Sequence, residues 1–158
     1  MNVRFALDRA RFLHEQSTRV MEIIDVGCAI IHKNGWLLIA QRCSGDSFGG
    51  YWEFPGGKRE DGESIEECLS REVLEELGVQ IKPEKPWGCR EHEIKEKKIR
   101  LFFHFCKWKE GNPEARECED FKWVSREDVR QYNFIPGDME ILEDLISRWD
   151  EYFKPVIL

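Results

Sequence analysis

The sequence lacks three features that would each indicate a class of protein. It has no uninterrupted apolar run of about 18 residues, so we expect no membrane-spanning helix. It has no excess of basic charge, because 31 acidic residues outweigh 24 basic ones and leave a net charge of −7. This balance argues against a general affinity for nucleic acid polymers or anionic membranes. Residues 1–18 also lack the continuous apolar segment of a secretory signal, so we expect none.

The cysteines lack the C-x-x-C spacing that is typical of zinc and redox motifs. Most of them lie within apolar runs, where cysteine behaves as a small buried hydrophobe. They therefore predict free, reduced thiols and a cytoplasmic location. The six are Cys28, Cys43, Cys68, Cys89, Cys106 and Cys118.

The hydrophobic pattern changes near residue 21 and divides the chain into two parts. A length of 158 residues with 41% hydrophobic content allows one compact core, which we place in a single domain over 21–158. Residues 1–20 predict an N-terminal helical extension, because their apolar residues recur at helical spacing. Two roles fit this extension: packing on its own domain, or a homodimer contact.

The single domain predicts the order β-β-β-α-β-β-α-α. Its first two strands are joined by Asn34 and Gly35, a dipeptide that favours a tight hairpin. Ser64, with Glu67 three residues later, predicts the start of a helix that ends at Gly78. Later strands are expected over 87–95, 98–108 and 121–124. Because hairpins rather than long crossovers connect the strands, the order favours a mixed α/β sandwich.

The predicted helix over 64–77 carries five acids and a single base, Arg71. At about 100° per residue, Glu76 falls within the apolar stripe of this helix and Glu72 lies at its margin. Glu72, Glu75 and Glu76 are spaced i, i+3 and i+4, so their carboxylates should share one patch. Two like charges about 4 Å apart repel by roughly 4 kcal/mol at an effective dielectric of 20. The patch therefore needs protons or cations.

Hard divalent cations are the natural compensation for such a patch. Mg²⁺, with Mn²⁺ as a substitute, prefers oxygen ligands of this kind. Gly56 and Gly57 precede the helix and let the backbone approach closely, so their carbonyls can add ligands. A metal-bridged pyrophosphate is then the expected substrate class. The alternative is a structural acidic helix.

The spacing of these residues matches a longer pattern. Gly57 is followed after five residues by Glu63, and after seven more by REVLEELGV over 71–79. This reads G-x5-E-x7-R-E-U-x-E-E-x-G-U, in which U is a bulky aliphatic residue. The chain thus resembles the Nudix hydrolases, which cleave a nucleoside diphosphate linked to another group. The resemblance implies the Nudix fold, an α/β/α sandwich with a mixed sheet and a catalytic loop-helix-loop.

The resemblance also implies roles for individual residues. Glu72, Glu75 and Glu76 look like metal ligands, joined by the carbonyl of Gly56. Arg71 looks like the residue that orients a catalytic glutamate, and Glu63 would support the loop. Glu72 itself is a ligand, a base or both.

Outside this motif, residues 23–145 are similar to the MutT branch of the family. Glu117 occupies the place of a further metal-binding glutamate; an exposed loop acid is the alternative. Arg42 and Lys97 resemble basic contacts to the nucleotide, although ordinary surface charge also explains them. Phe54 would stack on the base or belong to the core, as most phenylalanines do.

Asp138 departs from the MutT pattern. MutT has an asparagine at this place, which reads the purine edge, whereas aspartate occurs in CTP pyrophosphohydrolases and the mammalian oxidised-purine triphosphatase. Asp138 would also serve as the N-cap of the last helix, because it follows Pro136 and Gly137. The preferred base stays open.

The function implied is Mg²⁺-dependent hydrolysis of nucleoside triphosphates, (d)NTP to (d)NMP plus pyrophosphate, by attack of water on a phosphorus. Oxidised nucleotides such as 8-oxo-dGTP, or CTP-type substrates, are candidates. A different Nudix activity on ADP-ribose or dinucleoside polyphosphates is one alternative. A nucleotide-sensing module without catalysis is another, although a sensor has no need to retain every carboxylate.

Overall fold

The structure, a computed structural model, describes residues 20–154. The predicted N-terminal helix and its homodimer contact therefore lie outside the described residues, apart from Val20. The strands are β1 (Glu22–Lys33), β2 (Trp36–Gln41), β3 (Trp52–Glu53), β4 (Gly56–Lys58), β5 (Gln80–Ile94), β6 (Lys97–Glu110) and β7 (Asp120–Val124). The helices are α1 (Ile65–Leu77), α2 (Met139–Ser147) and α3 (Trp149–Tyr152). No helix within this range is long and apolar enough to cross a membrane.

A mixed sheet forms the middle layer. Its path runs β3-β2-β1-β6-β5, while β4 pairs with β1 and β7 pairs with β2. The predicted hairpin joins β1 to β2, and both turn residues have positive φ, 50° at Asn34 and 83° at Gly35. Strands β1 and β6 pair in parallel, from Glu22 opposite Lys97 onward. The mixed character of the sheet is thus confirmed.

Strand β5 begins at Gln80 and not near residue 87 as the sequence suggested. Pro83 and Pro86 lie inside it, although proline cannot donate a hydrogen bond to a sheet. Its pairing with β6 shifts register between Pro83 and Pro86 and again before Gly88. These irregularities absorb the missing N–H groups and allow the longer strand.

The two faces of the sheet bury separate cores. Neighbouring residues of β1 divide between them: Ile30 packs with α2 and α3, and Ile31 packs with α1. This alternation follows from the two-residue period of a strand. Helices on both faces give the α/β/α sandwich that the family resemblance implied.

Helix α1 has both predicted ends. The Ser64 side chain accepts from the Glu67 N–H at 3.1 Å, and the Glu67 carboxylate accepts from the Ser64 N–H at 2.8 Å. At the other end Gly78 closes the helix in the left-handed conformation, with φ 69°. Fixed at both ends and packed on the sheet by Leu69 and Val73, the helix presents its acids in a defined direction.

Candidate active site

The loop before α1 lies against the carboxylates of that helix. Gly56 and Gly57 form β4 and pair with Cys28 and Gly27 of β1. A Cβ atom at Gly56 would overlap the carbonyl oxygen of Gly27, and one at Gly57 would overlap the carboxylate of Glu72. At Gly56 only glycine therefore lets the backbone pass, because the obstacle is itself backbone, whereas a methyl group at Gly57 would displace the Glu72 carboxylate.

Glu76 is the most deeply buried acid of α1, with 6% of its surface exposed. It accepts a hydrogen bond from the Gly56 N–H at 3.2 Å. Within residues 20–154 it has no ion pair with a basic side chain, and its charged neighbours Glu53, Glu72 and Glu117 are all acids. Burial, reinforced by these acids, raises the pKa of Glu76 to about 8. Its burial confirms the helical-wheel prediction.

Arg71 joins the glutamates of the motif into one network. Its guanidinium donates to both oxygens of Glu63, at 2.5 Å from Nε and 3.0 Å from Nη2. Nη1 donates to Glu72 at 2.8 Å and to Glu75 at 3.2 Å. Nη2 also reaches the carbonyl of Lys58 at 3.0 Å. This bidentate pairing lowers the pKa of Glu63 to about 2, so Glu63 stays ionised and holds Arg71 in place.

The other motif acids differ in exposure. Glu72 is half-buried, and burial raises its pKa against the opposing effect of Arg71. Glu75 is exposed on the Arg71 side. Glu117 is also exposed, yet its loop is fixed to α1, because its N–H donates to the Glu76 carbonyl at 3.2 Å. Arg71 therefore holds Glu72, and a separate backbone hydrogen bond holds the loop of Glu117 at Glu76.

A divalent cation suits these residues chemically. Within residues 20–154 no three His, Cys, Asp or Glu side chains are close enough together to hold a metal ion. These carboxylates do not converge because Arg71 binds Glu72 and Glu75, while Glu76 accepts the Gly56 N–H. The donors are nevertheless carboxylates and peptide carbonyls, which hard cations prefer. A buried acid among other acids gains most from such a cation, so the residues fit the ion.

A cavity of about 250 Å³ opens beside the Gly56 and Gly57 backbone. Its apolar wall consists of Val26, Cys28, Phe54, Leu101 and Ile135. Its polar groups are Arg42, Glu53, Lys58 and Asp138. An apolar cavity with a few polar groups is typical of a small-ligand site, and this one adjoins the acidic helix through Gly57, which lies against the Glu72 carboxylate.

Asp138 lies at the wall of this cavity with 2% of its surface exposed. Its Oδ2 accepts from the Phe54 N–H at 2.9 Å. It occupies the N-cap position of α2, but its side chain makes no hydrogen bond there, so the alternative that this side chain caps the helix is wrong. Burial raises the pKa of Asp138 to about 7, a shift that Glu53 increases and the Phe54 N–H and Arg42 oppose.

Glu53 is a site residue that the sequence analysis did not single out. It lines the cavity and accepts from Arg42 Nη1 at 2.8 Å, while Arg42 Nε donates to the Ser47 carbonyl at 2.6 Å. Burial raises the pKa of Glu53 against the effect of Arg42. The available signal was a charged residue between two large aromatic residues, Trp52 and Phe54, both of which are buried. Arg42 is thus placed at the cavity, with Glu53 as its partner.

Two predicted substrate contacts lie in different surroundings. Phe54 is 3% exposed and packs between Phe103 and Phe134, with ring centroids 6.0 and 5.6 Å away. It belongs to the core and also forms part of the cavity wall. Lys97 lies at the start of β6, where its Nζ is 3.3 Å from Glu22, and it does not line the cavity.

Comparisons with known proteins agree with this geometry. A family model described as NUDIX domain matches residues 21–145. The CTP pyrophosphohydrolase of Escherichia coli (strain K12) is 35% identical over 127 residues, which cover 80% of this chain and 94% of that protein. The 8-oxo-dGTP diphosphatase of Haemophilus influenzae is 31% identical over 127 residues, or 80% and 93% of the two chains.

The solution structure of the E. coli ORF135 protein is similar in fold. It superposes with a TM-score of 0.69 at 34% sequence identity, over 81% of this chain and 91% of that chain. The family match over residues 21–145 spans the strands, α1 and the loop that precedes it. With the family match over residues 21–145, these findings show that the chain belongs to the NUDIX domain family.

Proposed function

We propose that this Nudix hydrolase cleaves nucleoside triphosphates, (d)NTP to (d)NMP plus pyrophosphate, with Mg²⁺ as the cofactor and Mn²⁺ as a substitute. One observation carries the proposal: Gly56 and Gly57 line the cavity that bears Asp138 and Glu53, and Gly57 lies against the carboxylate of Glu72 on α1. A nucleotide whose base lies near Asp138 would place its phosphates near the acids of α1. Two similar proteins, named for CTP and for 8-oxo-dGTP, support a nucleotide substrate.

The proposed metal ligands are Glu72, Glu75, Glu76, Glu117 and the carbonyl of Gly56. When bound there, a divalent cation supplies positive charge for the phosphates and a more acidic water. The burial of Glu76 among acids supports this assignment, because its pKa of about 8 shows how poorly its charge is compensated by the protein alone.

Arg71 and Glu63 have a positioning role in the proposed reaction. Arg71 fixes Glu72 from one side by a 2.8 Å hydrogen bond, and Glu63 fixes Arg71 from the other. Glu72 is then oriented to accept a proton from the water that attacks a phosphorus, to bind metal, or both. Fixed orientation of this kind lowers the entropic part of a reaction barrier.

Asp138 and Glu53 are the proposed determinants of base preference. Only Oδ2 of Asp138 is used by the Phe54 N–H, which leaves Oδ1 for a base. An ionised aspartate accepts hydrogen bonds, so it favours the exocyclic amine of cytosine or the N–H groups of a guanine-type edge. With a pKa of about 7, Asp138 is also partly protonated near neutral pH and can donate, which suits oxidised purines.

Initial rates over a substrate panel test the function. The panel contains CTP, GTP, ATP, 8-oxo-dGTP and ADP-ribose, each with Mg²⁺. We expect a triphosphate to be hydrolysed fastest, with inorganic phosphate detected only after pyrophosphatase is added. Phosphate released without pyrophosphatase would place the broken bond elsewhere. Turnover of ADP-ribose alone would favour the other Nudix activity, and nucleotide binding without turnover would favour a sensing module.

A matched pair of variants tests base recognition. Asp138→Asn should change the order of rates among the bases, because a site that loses a polar pairing discriminates strongly. Asp150→Asn, at an exposed carboxylate of α3, should leave that order unchanged. The same order in both variants would show that Asp138 does not read the base.

The proposed partner of this site is a free nucleotide, and neither a nucleic acid polymer nor a membrane is proposed to bind the protein. The proposed location is the cytoplasm.

A further inference from the structure

Two cysteines from distant parts of the chain come together beside the active site. Within residues 20–154 all six cysteines are free, and four of them are buried. Cys43 is partly exposed at the end of β2, and Cys118 is buried just before β7. The Cys43 sulfur lies 3.8 Å from the carbonyl oxygen of Glu117, the residue that precedes Cys118.

The end of the β2–β7 ladder brings these cysteines near each other. The β2–β7 ladder runs antiparallel and ends with Gln41 opposite Asp120. Cys43 lies two residues beyond Gln41, and Cys118 two residues before Asp120. The Glu119 N–H also donates to the Gln41 carbonyl, at 2.9 Å, so the pairing shifts by one residue past the ladder and Cys43 meets the carbonyl of Glu117, the neighbour of Cys118. Cys43 Sγ thus already contacts the peptide group that joins Glu117 to Cys118, and a disulfide accommodates Cα separations of about 4.4–6.8 Å, so a local movement is enough to join the two sulfurs.

The same segment is tied to the catalytic helix. The N–H groups of Arg116 and Glu117 both donate to the Glu76 carbonyl, at 3.0 and 3.2 Å. Formation of a bond of about 2 Å between the two sulfurs requires the Cys118 side chain to turn towards Cys43. The present contact of Cys43 with the Glu117 carbonyl would then be lost, and the Glu117 backbone would move with it.

We propose that Cys43 and Cys118 are a peroxide-sensitive pair, and that the disulfide between them displaces Glu117 and reversibly slows hydrolysis. The effect on hydrolysis rests on the proposed function, in which Glu117 is a metal ligand. Formation of the disulfide itself does not.

The chemistry needs a peroxide as the oxidant and a dithiol as the reductant. Cys43, the more exposed thiol, meets hydrogen peroxide first: its sulfur bonds to one oxygen, the O–O bond breaks and water leaves. The Cys118 thiol then gives up its proton and its sulfur attacks the sulfur of this sulfenic acid. The S–OH bond breaks, and the hydroxide leaves with that proton as a second water. Two thiols are thus oxidised by two electrons to one disulfide, and the peroxide oxygens are reduced to water. A dithiol reverses the change by thiol–disulfide exchange.

Peptide mapping and rate measurements on the full chain test both parts. The reduced protein is treated with hydrogen peroxide, free thiols are blocked, and peptides are mapped by mass spectrometry without reduction. We expect a linked pair of peptides containing Cys43 and Cys118. Nucleotide hydrolysis should fall at least about tenfold, as changes around metal ligands often cause, and dithiothreitol should restore it. After peroxide treatment, Cys43→Ser should keep its rate of hydrolysis. Cys89→Ser, at the exposed cysteine of β5, should lose its rate as the unaltered chain does.

Three results would contradict the proposal. If the thiols are consumed without a Cys43–Cys118 link, the pairing is wrong. If the link forms and the rate is unchanged, Glu117 is not displaced. If Cys43→Ser loses its rate in peroxide as fast as the unaltered chain, the loss comes from another residue. A reduced protein that hydrolyses no nucleotide would refute the proposed function instead, while the peptide map would still test the pair.

Discussion

Asp138→Asn should change how the stability of the protein depends on pH. In the folded protein the pKa of Asp138 is about 7, against an ordinary value of 3.8. The folded state therefore binds the Asp138 proton more tightly than the unfolded state does. The stabilisation that comes from this bound proton is complete below about pH 4 and is lost as pH rises through about 7. At roughly 1.4 kcal/mol per unit, the full loss is about 4 kcal/mol, of which about 2 to 3 kcal/mol falls between pH 5 and 8.

The asparagine variant cannot ionise, so it lacks this decline. We expect the free energy of unfolding of Asp138→Asn, relative to the unaltered chain, to rise by about 2 to 3 kcal/mol from pH 5 to pH 8. Urea unfolding across this pH range measures it directly. Asp150→Asn is the control, because its carboxylate is 87% exposed, and its profile should follow that of the unaltered chain. Parallel profiles for Asp138→Asn and the unaltered chain would refute the reasoning.

Two further predictions concern the loop and the helix of the active site. Arg71→Lys should lower kcat about 10- to 100-fold with little change in the far-UV circular dichroism, because one ammonium group cannot replace the fork that holds Glu63 and Glu72; an unchanged kcat would remove its positioning role. Gly56→Ala should destabilise the fold by about 1–3 kcal/mol or more in urea unfolding, since the added methyl meets the Gly27 carbonyl. Gly45→Ala, where the methyl meets nothing within 4 Å, is the control, and equal midpoints would contradict the close approach.

Local features of the fold could be predicted because they depend on short-range chemistry. Asn34 and Gly35 specify their turn through positive φ, and Ser64 with Glu67 specifies a helix start through two hydrogen bonds. The burial of Glu76 follows from helical periodicity alone. Each of these needs only a few neighbouring residues.

Features that depend on distant parts of the chain could not be predicted. Asp138 and Phe54 are 84 residues apart, and their hydrogen bond exists because the chain at Asn133 and Ile135 pairs with Trp52. Nothing near Asp138 in the sequence separates this contact from a helix cap. Likewise, Glu53 gains its significance from Arg42, which follows the neighbouring strand β2, and from the cavity that both line.

The rate of Glu76→Gln tests the central claim most directly, namely that the buried acid of α1 carries metal-dependent hydrolysis. Glutamine keeps an oxygen that can accept the Gly56 N–H, so the far-UV circular dichroism and the urea midpoint should show an intact fold. Turnover of the best triphosphate should fall at least about a hundredfold, in line with the loss of a strong electrostatic contribution. Glu66→Gln, at an exposed acid of the same helix, should stay within about twofold of the unaltered chain. Near-normal turnover by Glu76→Gln, or by the unaltered chain in excess EDTA, would contradict the account.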